Sequence, residues 1–262
     1  MVTNTELAAY FQVAPEILPF VPQLLQDFEE LGSDPGLVVE WLRDEGLQGP
    51  GVRVLDLGCG KGAVALAVAG SLGCRVDGVD AMPAFVDEAR RLAGERTVSA
   101  LCTFECGDLR ETVARARGYD AVLLVSVGVL GSPAAMIAGC RQCVAPGGLM
   151  ILEDGYRLTS AAVDHPGYQD MATLEETLEQ LTAHGDRLLR EQRTTLEEMR
   201  AQNRRYTAWI AARVGELADR HPEHAAAFHA YLERERRECE ILESSVECAT
   251  WLLRRAPSDG GR

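Results

Sequence analysis

The chain has 262 residues, 47% of them hydrophobic, and a formal net charge of −14. That is enough apolar content for a sizeable core, either as one large domain or as a domain with a modest lid, and the excess of acid would repel a phosphate backbone, which argues against a general nucleic-acid-binding protein. No stretch approaches the roughly 20 apolar residues of a membrane span, no basic residue precedes Arg43, and eight cysteines follow no secreted framework, so the expected location is the cytoplasm with reduced thiols.

The first 50 residues read as helices over 6–13, 16–31 and 36–47, punctuated by Pro15, Pro19, Pro22 and Pro35. Leu18, Val21, Leu24, Leu25, Phe28 and Leu31 recur at helical spacing and give a packing stripe. Residues 54–66 then run from a short apolar strand into an acid, through three glycines at alternate positions, and on into an Ala/Val/Leu-rich helix. Without a Cβ, Gly58, Gly60 and Gly62 let the backbone turn sharply and come close to a ligand.

The identity of that ligand turns on Asp56, whose carboxylate two residues before the first glycine would repel a pyrophosphate and welcome a cation. Gly58-x-Gly60-x-x-Ala63, with Asp80 near the position of a ribose-binding acid, also matches a dinucleotide fingerprint. A phosphate-binding loop would need Ser or Thr after the lysine, and Lys61 is followed by Gly62. Lys61 is the only lysine, and the arginine-rich balance reads as compositional bias.

Further along, strands are expected over 53–56, 75–79, 99–105, 119–125 and 149–154, with helices running to about 71, over 83–93, 110–116 and 133–143. Cys140-x-x-Cys143 lacks a second Cys or His pair nearby and reads as packing at a helix end. A helix over 171–183, a strand over 186–193, two long helices over 195–218 and 222–242, and a last antiparallel strand over 246–254 complete the chain.

Asp-x-Gly-x-Gly at 56–60, Gly107-Asp108, Tyr119-Asp120-Ala121-Val122 and Pro146-Gly147-Gly148 occur in this order and spacing. Together they resemble the class I S-adenosylmethionine-dependent methyltransferases, strongly over 54–154 and elsewhere only in layout. The resemblance implies an α/β Rossmann-like sheet of order 3-2-1-4-5-7-6 with the last strand antiparallel. Residues 1–50 would form a helical cap, 51–194 the cofactor-binding core, 195–245 a helical lid between strands six and seven, and 246–262 the last strand and tail. It also implies S-adenosylmethionine as cofactor, with Asp56, Gly58, Cys59 and Gly60 around its cationic methionine part. Asp80 would accept from the ribose hydroxyls, Ala81 and Met82 would pack beside the adenine, Gly107, Asp108 and Leu109 would read its edge, and Ser126 would line the methyl end.

The acceptor is a small molecule on this reading and the protein would be a monomer or homodimer; the lack of an Asn-Pro-Pro-Tyr motif after strand four argues against methylation of nucleobase amines and says little about other acceptors. Asp154, and after it Glu153, are candidates for a general base or a substrate anchor at the carboxyl edge of strand five, and strand alternation allows only one of them to face the cleft. Either could equally be a cap or a surface acid. Tyr156 and Arg157 follow them as possible substrate contacts, and Tyr10 and Phe11 as pocket walls or plain core. Asn203 and Glu235 interrupt apolar faces of the two lid helices, and either meet the substrate or pair across the hairpin with each other, Arg204 or Arg237. No spacing requires a metal. Two rival functions remain open: another transferase on the same fold, such as an aminopropyl transferase, and a noncatalytic cofactor-binding protein that works through its lid. A closed, dry cleft would favour the second rival, and an open cavity beside Ser126 and Asp154 would favour an enzyme.

Overall fold

A computed structural model describes residues 2–31, 34–163, 165, 168 and 171–257, so the last residues of the expected tail lie outside the described residues. Seven strands, β1 (Arg53–Leu57), β2 (Arg75–Asp80), β3 (Cys102–Cys106), β4 (Tyr119–Val125), β5 (Val144–Arg157), β6 (Arg187–Arg193) and β7 (Val246–Arg254), form one sheet of order β3-β2-β1-β4-β5-β7-β6. Strands β1 to β5 pair in parallel, and β7 runs antiparallel to both of its neighbours. This is the order the sequence implied.

The central strands are apolar on both faces because both faces are covered. Ten helices do the covering among the described residues: α1 (Asn4–Tyr10), α2 (Val21–Leu24), α3 (Pro35–Asp44), α4 (Ala63–Leu72), α5 (Pro83–Glu95), α6 (Leu109–Arg115), α7 (Pro133–Cys143), α8 (Leu174–Thr182), α9 (Leu196–Arg220) and α10 (Ala225–Leu242). Val54, Leu123 and Ile151 pack under α3, α4 and α5, while Leu55, Leu124 and Leu152 pack under α6, α7 and α8. Cys140 and Cys143 are fully buried in that second layer. A third core joins α1, α2, α9 and α10 to Met82 and Phe85, and thus roofs the carboxyl edge of the sheet. No helix among the described residues is long and apolar enough to cross a membrane.

Three local expectations need correction. The helix expected over 16–31 is a 3-10 helix, Pro15–Phe20, followed by the single turn of α2 and then by turns. Pro19 and Pro22 lack the N–H a continuous helix would use, which breaks it there. Strand β5 begins at Val144, five residues early, because Pro146-Gly147-Gly148 forms an irregularity within the strand, opposite Tyr119 to Ala121, and no separate turn precedes it. The second lid helix starts with a separate 3-10 turn, Pro222–His224, before α10.

Candidate active site

A cavity of about 1170 Å³ lies at the carboxyl ends of β1, β2, β4 and β5 under the helical roof, where open α/β sheets bind ligands. The glycine loop forms its floor. Gly58 has φ 77° and Gly60 φ 51°, and a Cβ on Gly58 would lie 2.3 Å from a methyl of Val127, so the turn needs glycine both for conformation and for space. The Gly60 N–H donates to Asp80 Oδ2 at 2.9 Å, and the Met82 N–H to Oδ1 at 2.8 Å. Asp80 therefore ties the end of β2 to the loop after β1, with lone pairs to spare on each oxygen.

Asp56 is the most unusual group in the cavity wall. It is only 1% exposed, and neither carboxylate oxygen has a partner in hydrogen-bonding geometry among the described residues, the Ala65 N–H being near enough only to offset part of the effect of burial on its pKa. Burial, and after it the charge of Asp80, push its pKa up to about 7. A buried carboxylate without partners is costly unless something supplies positive charge or donors. At the far end of the loop Asp108 caps α6, accepting from the Arg110 N–H at 2.9 Å, and the Arg110 guanidinium holds its carboxyl below the usual range. No group of three or more His, Cys, Asp or Glu among the described residues is arranged to hold a metal ion.

On the opposite side Ser126 ends β4 with φ 59°, an uncommon conformation for a residue with a Cβ. That turn lets its Oγ donate to Glu153 Oε1 at 2.5 Å, while Thr250 Oγ1 donates to Oε2 at 3.2 Å. Among the described residues Asp154 accepts only from the Gly155 N–H, at 2.8 Å, and burial raises its pKa to about 6. Helix α10 brings Tyr231, Arg234, Glu235 and Glu238 to the same cavity, as spacings of three and four on a helix require. Glu235 pairs with Arg234 and is raised to about 7 by burial, and Tyr168 donates to Glu238 at 2.5 Å. A side chamber of about 260 Å³ opens between α9 and α10, sharing Glu153, Glu235 and Glu238 with the main cavity.

The sequence family described as a methyltransferase domain matches residues 54–148. Over those residues the chain is similar to a methyltransferase domain. A ubiquinone biosynthesis O-methyltransferase of Cereibacter sphaeroides is 36% identical over 107 residues, 38% of this chain and 40% of that one. Its counterpart in Xanthomonas campestris is 32% identical over 114 residues, 43% of this chain and 46% of that one. The chain thus matches less than half the length of these relatives. Among solved structures, a SAM-dependent methyltransferase of Geobacter sulfurreducens in complex with S-adenosyl-L-homocysteine superposes with a TM-score of 0.74 at 20% identity, over 90% of this chain and 97% of that one. The [4+2]-cyclase SpnF superposes with a TM-score of 0.73 at 19% identity, over 98% of both chains. Those two likenesses concern the fold, which by itself does not fix a reaction.

Of the expected site residues, Asp56, Gly58, Cys59, Gly60, Asp80, Ala81, Met82, Asp108, Leu109 and Ser126 all line the main cavity, and so do Tyr10, Phe11 and Glu235. Both Glu153 and Asp154 line it, although strand alternation left room for one, because the cavity wraps around the carboxyl edge of β5. Four expected contacts fall elsewhere. Gly107 donates its N–H to the Asp80 carbonyl at 3.0 Å, outside the cavity lining. Tyr156 points into the core beneath the sheet and donates to Glu247, and Arg157 pairs with Glu176 at the start of α8. Asn203 reaches only the side chamber and donates to Glu243 at 3.0 Å across the helical hairpin, the pairing reading with a different partner. The sequence reading missed Leu25, Phe28 and Leu31, taken as plain packing, and Tyr168, Tyr231 and Glu238. Helical spacing from Glu235 could have found Tyr231 and Glu238. Nothing local marks Tyr168.

Proposed function

We propose that the protein is an S-adenosylmethionine-dependent methyltransferase acting on a small-molecule acceptor. The observation that carries this reading is Asp56, buried and without a hydrogen-bond partner beside a glycine loop that Asp80 holds open. An ammonium group would satisfy that orphaned carboxylate. Asp80 would accept from the two ribose hydroxyls, Ala81 and Met82 would flank the adenine, and Asp108 with the Leu109 backbone would read its edge. When bound, S-adenosylmethionine supplies a methyl group on a sulfonium, open to in-line displacement by an O, N, S or C nucleophile.

The chain's own residues would do the rest by positioning, excluding water and moving a proton. Asp154, with its pKa near 6 and one lone hydrogen bond, is best suited to take a proton from the acceptor at neutral pH. Glu153, held at both oxygens by Ser126 and Thr250, is better suited to orient than to exchange protons. Tyr10, Phe11, Tyr168, Tyr231, Glu235 and Glu238 would bound the acceptor chamber. Its acid-rich walls favour a neutral or cationic acceptor over an anionic one. The open volume beside Ser126 and Asp154 supports an enzyme over a noncatalytic binding protein. With a net charge of −14 and eight free cysteines, we place its action in the cytoplasm, as a monomer or homodimer, on a small molecule and not on nucleic acid.

Calorimetric titration with S-adenosylmethionine and S-adenosylhomocysteine tests the reading directly. The intact protein should bind both, and Asp80→Ala should weaken binding at least about 100-fold, since it removes an acceptor shared by loop and ligand. Absence of binding to the intact protein would sink the proposal.

A further inference from the structure

Lys61 lies between two glycines of the loop after β1, is only 8% exposed as a residue, and makes no ion pair with a carboxylate among the described residues. Its Nζ donates to the carbonyls of Leu25 at 2.5 Å, Phe28 at 2.9 Å and Gln26 at 3.3 Å. These carbonyls follow the single turn of α2, where the broken helix no longer supplies the N–H groups of a next turn, although the Leu25 carbonyl also accepts from the Phe28 N–H at 3.2 Å. Three donors thus meet three acceptors, and the Phe85 ring lies 5.9 Å from the same nitrogen. Burial pulls the Lys61 pKa down, with Glu88 and Asp27 opposing it as the nearest acids.

The segment held in this way, residues 25–31, is also a wall of the cavity, through Leu25, Phe28 and Leu31. Its outer side is fastened to the lid. Asp27 takes two hydrogen bonds from Arg213 of α9, at 2.6 and 2.8 Å. The Phe28 ring packs on Tyr206 and Trp209 of the same helix, with centroids 4.4 and 5.4 Å apart. Leu31 closes on Gly60, where a Cβ would come within 2.8 Å of its methyl.

We propose that Lys61 is a positioning residue that clamps residues 25–31 between the glycine loop and α9, so that loop, strap and lid present one cavity wall as a unit. The clamp itself follows from the hydrogen bonds alone. Its effect on affinity rests on reading the glycine loop as the S-adenosylmethionine site.

As the only lysine, Lys61 can be followed by amine labelling without interference from another side chain. Reductive methylation of the intact protein, read by mass spectrometry, should modify Nζ at least about tenfold more slowly than in the urea-denatured chain, because three hydrogen bonds must open first. Equal rates would overturn the clamp. In a second measurement, Lys61→Met should speed amide hydrogen exchange in residues 21–31 and 206–213 at least about tenfold, leaving Leu123, Leu124 and Leu152 unchanged. It should weaken S-adenosylhomocysteine binding about tenfold, with partial recovery in Lys61→Arg. Unchanged exchange in the strap, or an even rise throughout the sheet, would refute the positioning role. Loss of the strap's protection together with full cofactor affinity would refute its part in the cavity wall. If the intact protein binds no S-adenosylhomocysteine while labelling and exchange behave as expected, the cofactor reading fails and the clamp stands.

Discussion

The glycine-loop side of the cavity draws its lining groups from three short stretches, 56–60, 80–82 and 108–109, each at the end of a parallel strand or the start of the helix after it. The opposite side collects residues from five places: Tyr10, Ser126, Asp154, Tyr168, and Tyr231 with Glu238 on α10. The first is set by backbone conformation, in which Gly58 and Gly60 turn with positive φ and Asp80 accepts from two main-chain N–H groups. The second is set by side chains brought together from elements far apart in the chain, only Tyr231 and Glu238 sharing one, α10. A cofactor shared by many proteins can be met by the first kind of surface. An acceptor particular to one protein needs the second, which can change residue by residue without disturbing the sheet.

The sharpest way to break this contrast is to strain the backbone side. Gly58→Ala would place a Cβ at φ 77° and within 2.3 Å of Val127, so S-adenosylhomocysteine binding should become undetectable by calorimetry. A destabilisation of about 1–3 kcal/mol should show in urea unfolding. Substitution on the other side should separate the two functions. Asp154→Asn should lower kcat about 100-fold while leaving cofactor affinity within about twofold, as expected for a lost proton acceptor. If affinity fell together with turnover, the two sides would not be separate.

A smaller effect is expected from pH. With the Asp56 pKa at about 7 in the ligand-free protein, a cationic ligand must displace a proton to bind below that value. Cofactor affinity should therefore fall about tenfold from pH 8 to pH 6, and calorimetry in buffers of different ionisation enthalpy should show proton release at pH 6. The sign reverses for stability without ligand. Because the folded pKa is raised, the native state holds more protons than the unfolded chain between roughly pH 4 and 7, and Asp56 makes the ligand-free protein less stable as pH rises through that window. Affinity independent of pH would remove Asp56 from the ammonium site. The smallest effect belongs to Tyr156→Phe, which removes a hydroxyl that meets Glu247 away from the cavity. Turnover should stay within about twofold, with about 1 kcal/mol of stability lost by urea unfolding.

The sequence by itself determined where the parallel strands lie, because they are short apolar runs separated by helical stretches, and such runs are buried on both faces; their order in the sheet came from the resemblance of the motifs to a known family. It also determined the glycine-loop side, because residues that act through one turn are neighbours in the chain: Asp56 is four positions from Gly60, and Ala81 and Met82 follow Asp80 directly. Even there it could not show that Asp56 is buried and unpartnered, a property of everything packed around it. Tertiary structure alone decided the rest. Tyr156 and Asp154 are two residues apart on one strand, yet only Asp154 lines the cavity, because Tyr156 lies where β5 pairs with β7 beyond the end of β4 and is covered by core. Lys61 read as a misfit to a phosphate loop, and its three acceptors lie 33 to 36 positions earlier, at the end of a helix that prolines cut short. Local sequence fixes backbone geometry over a few residues. Which side chains from distant segments meet is fixed only when the packed layers bring them within hydrogen-bonding distance.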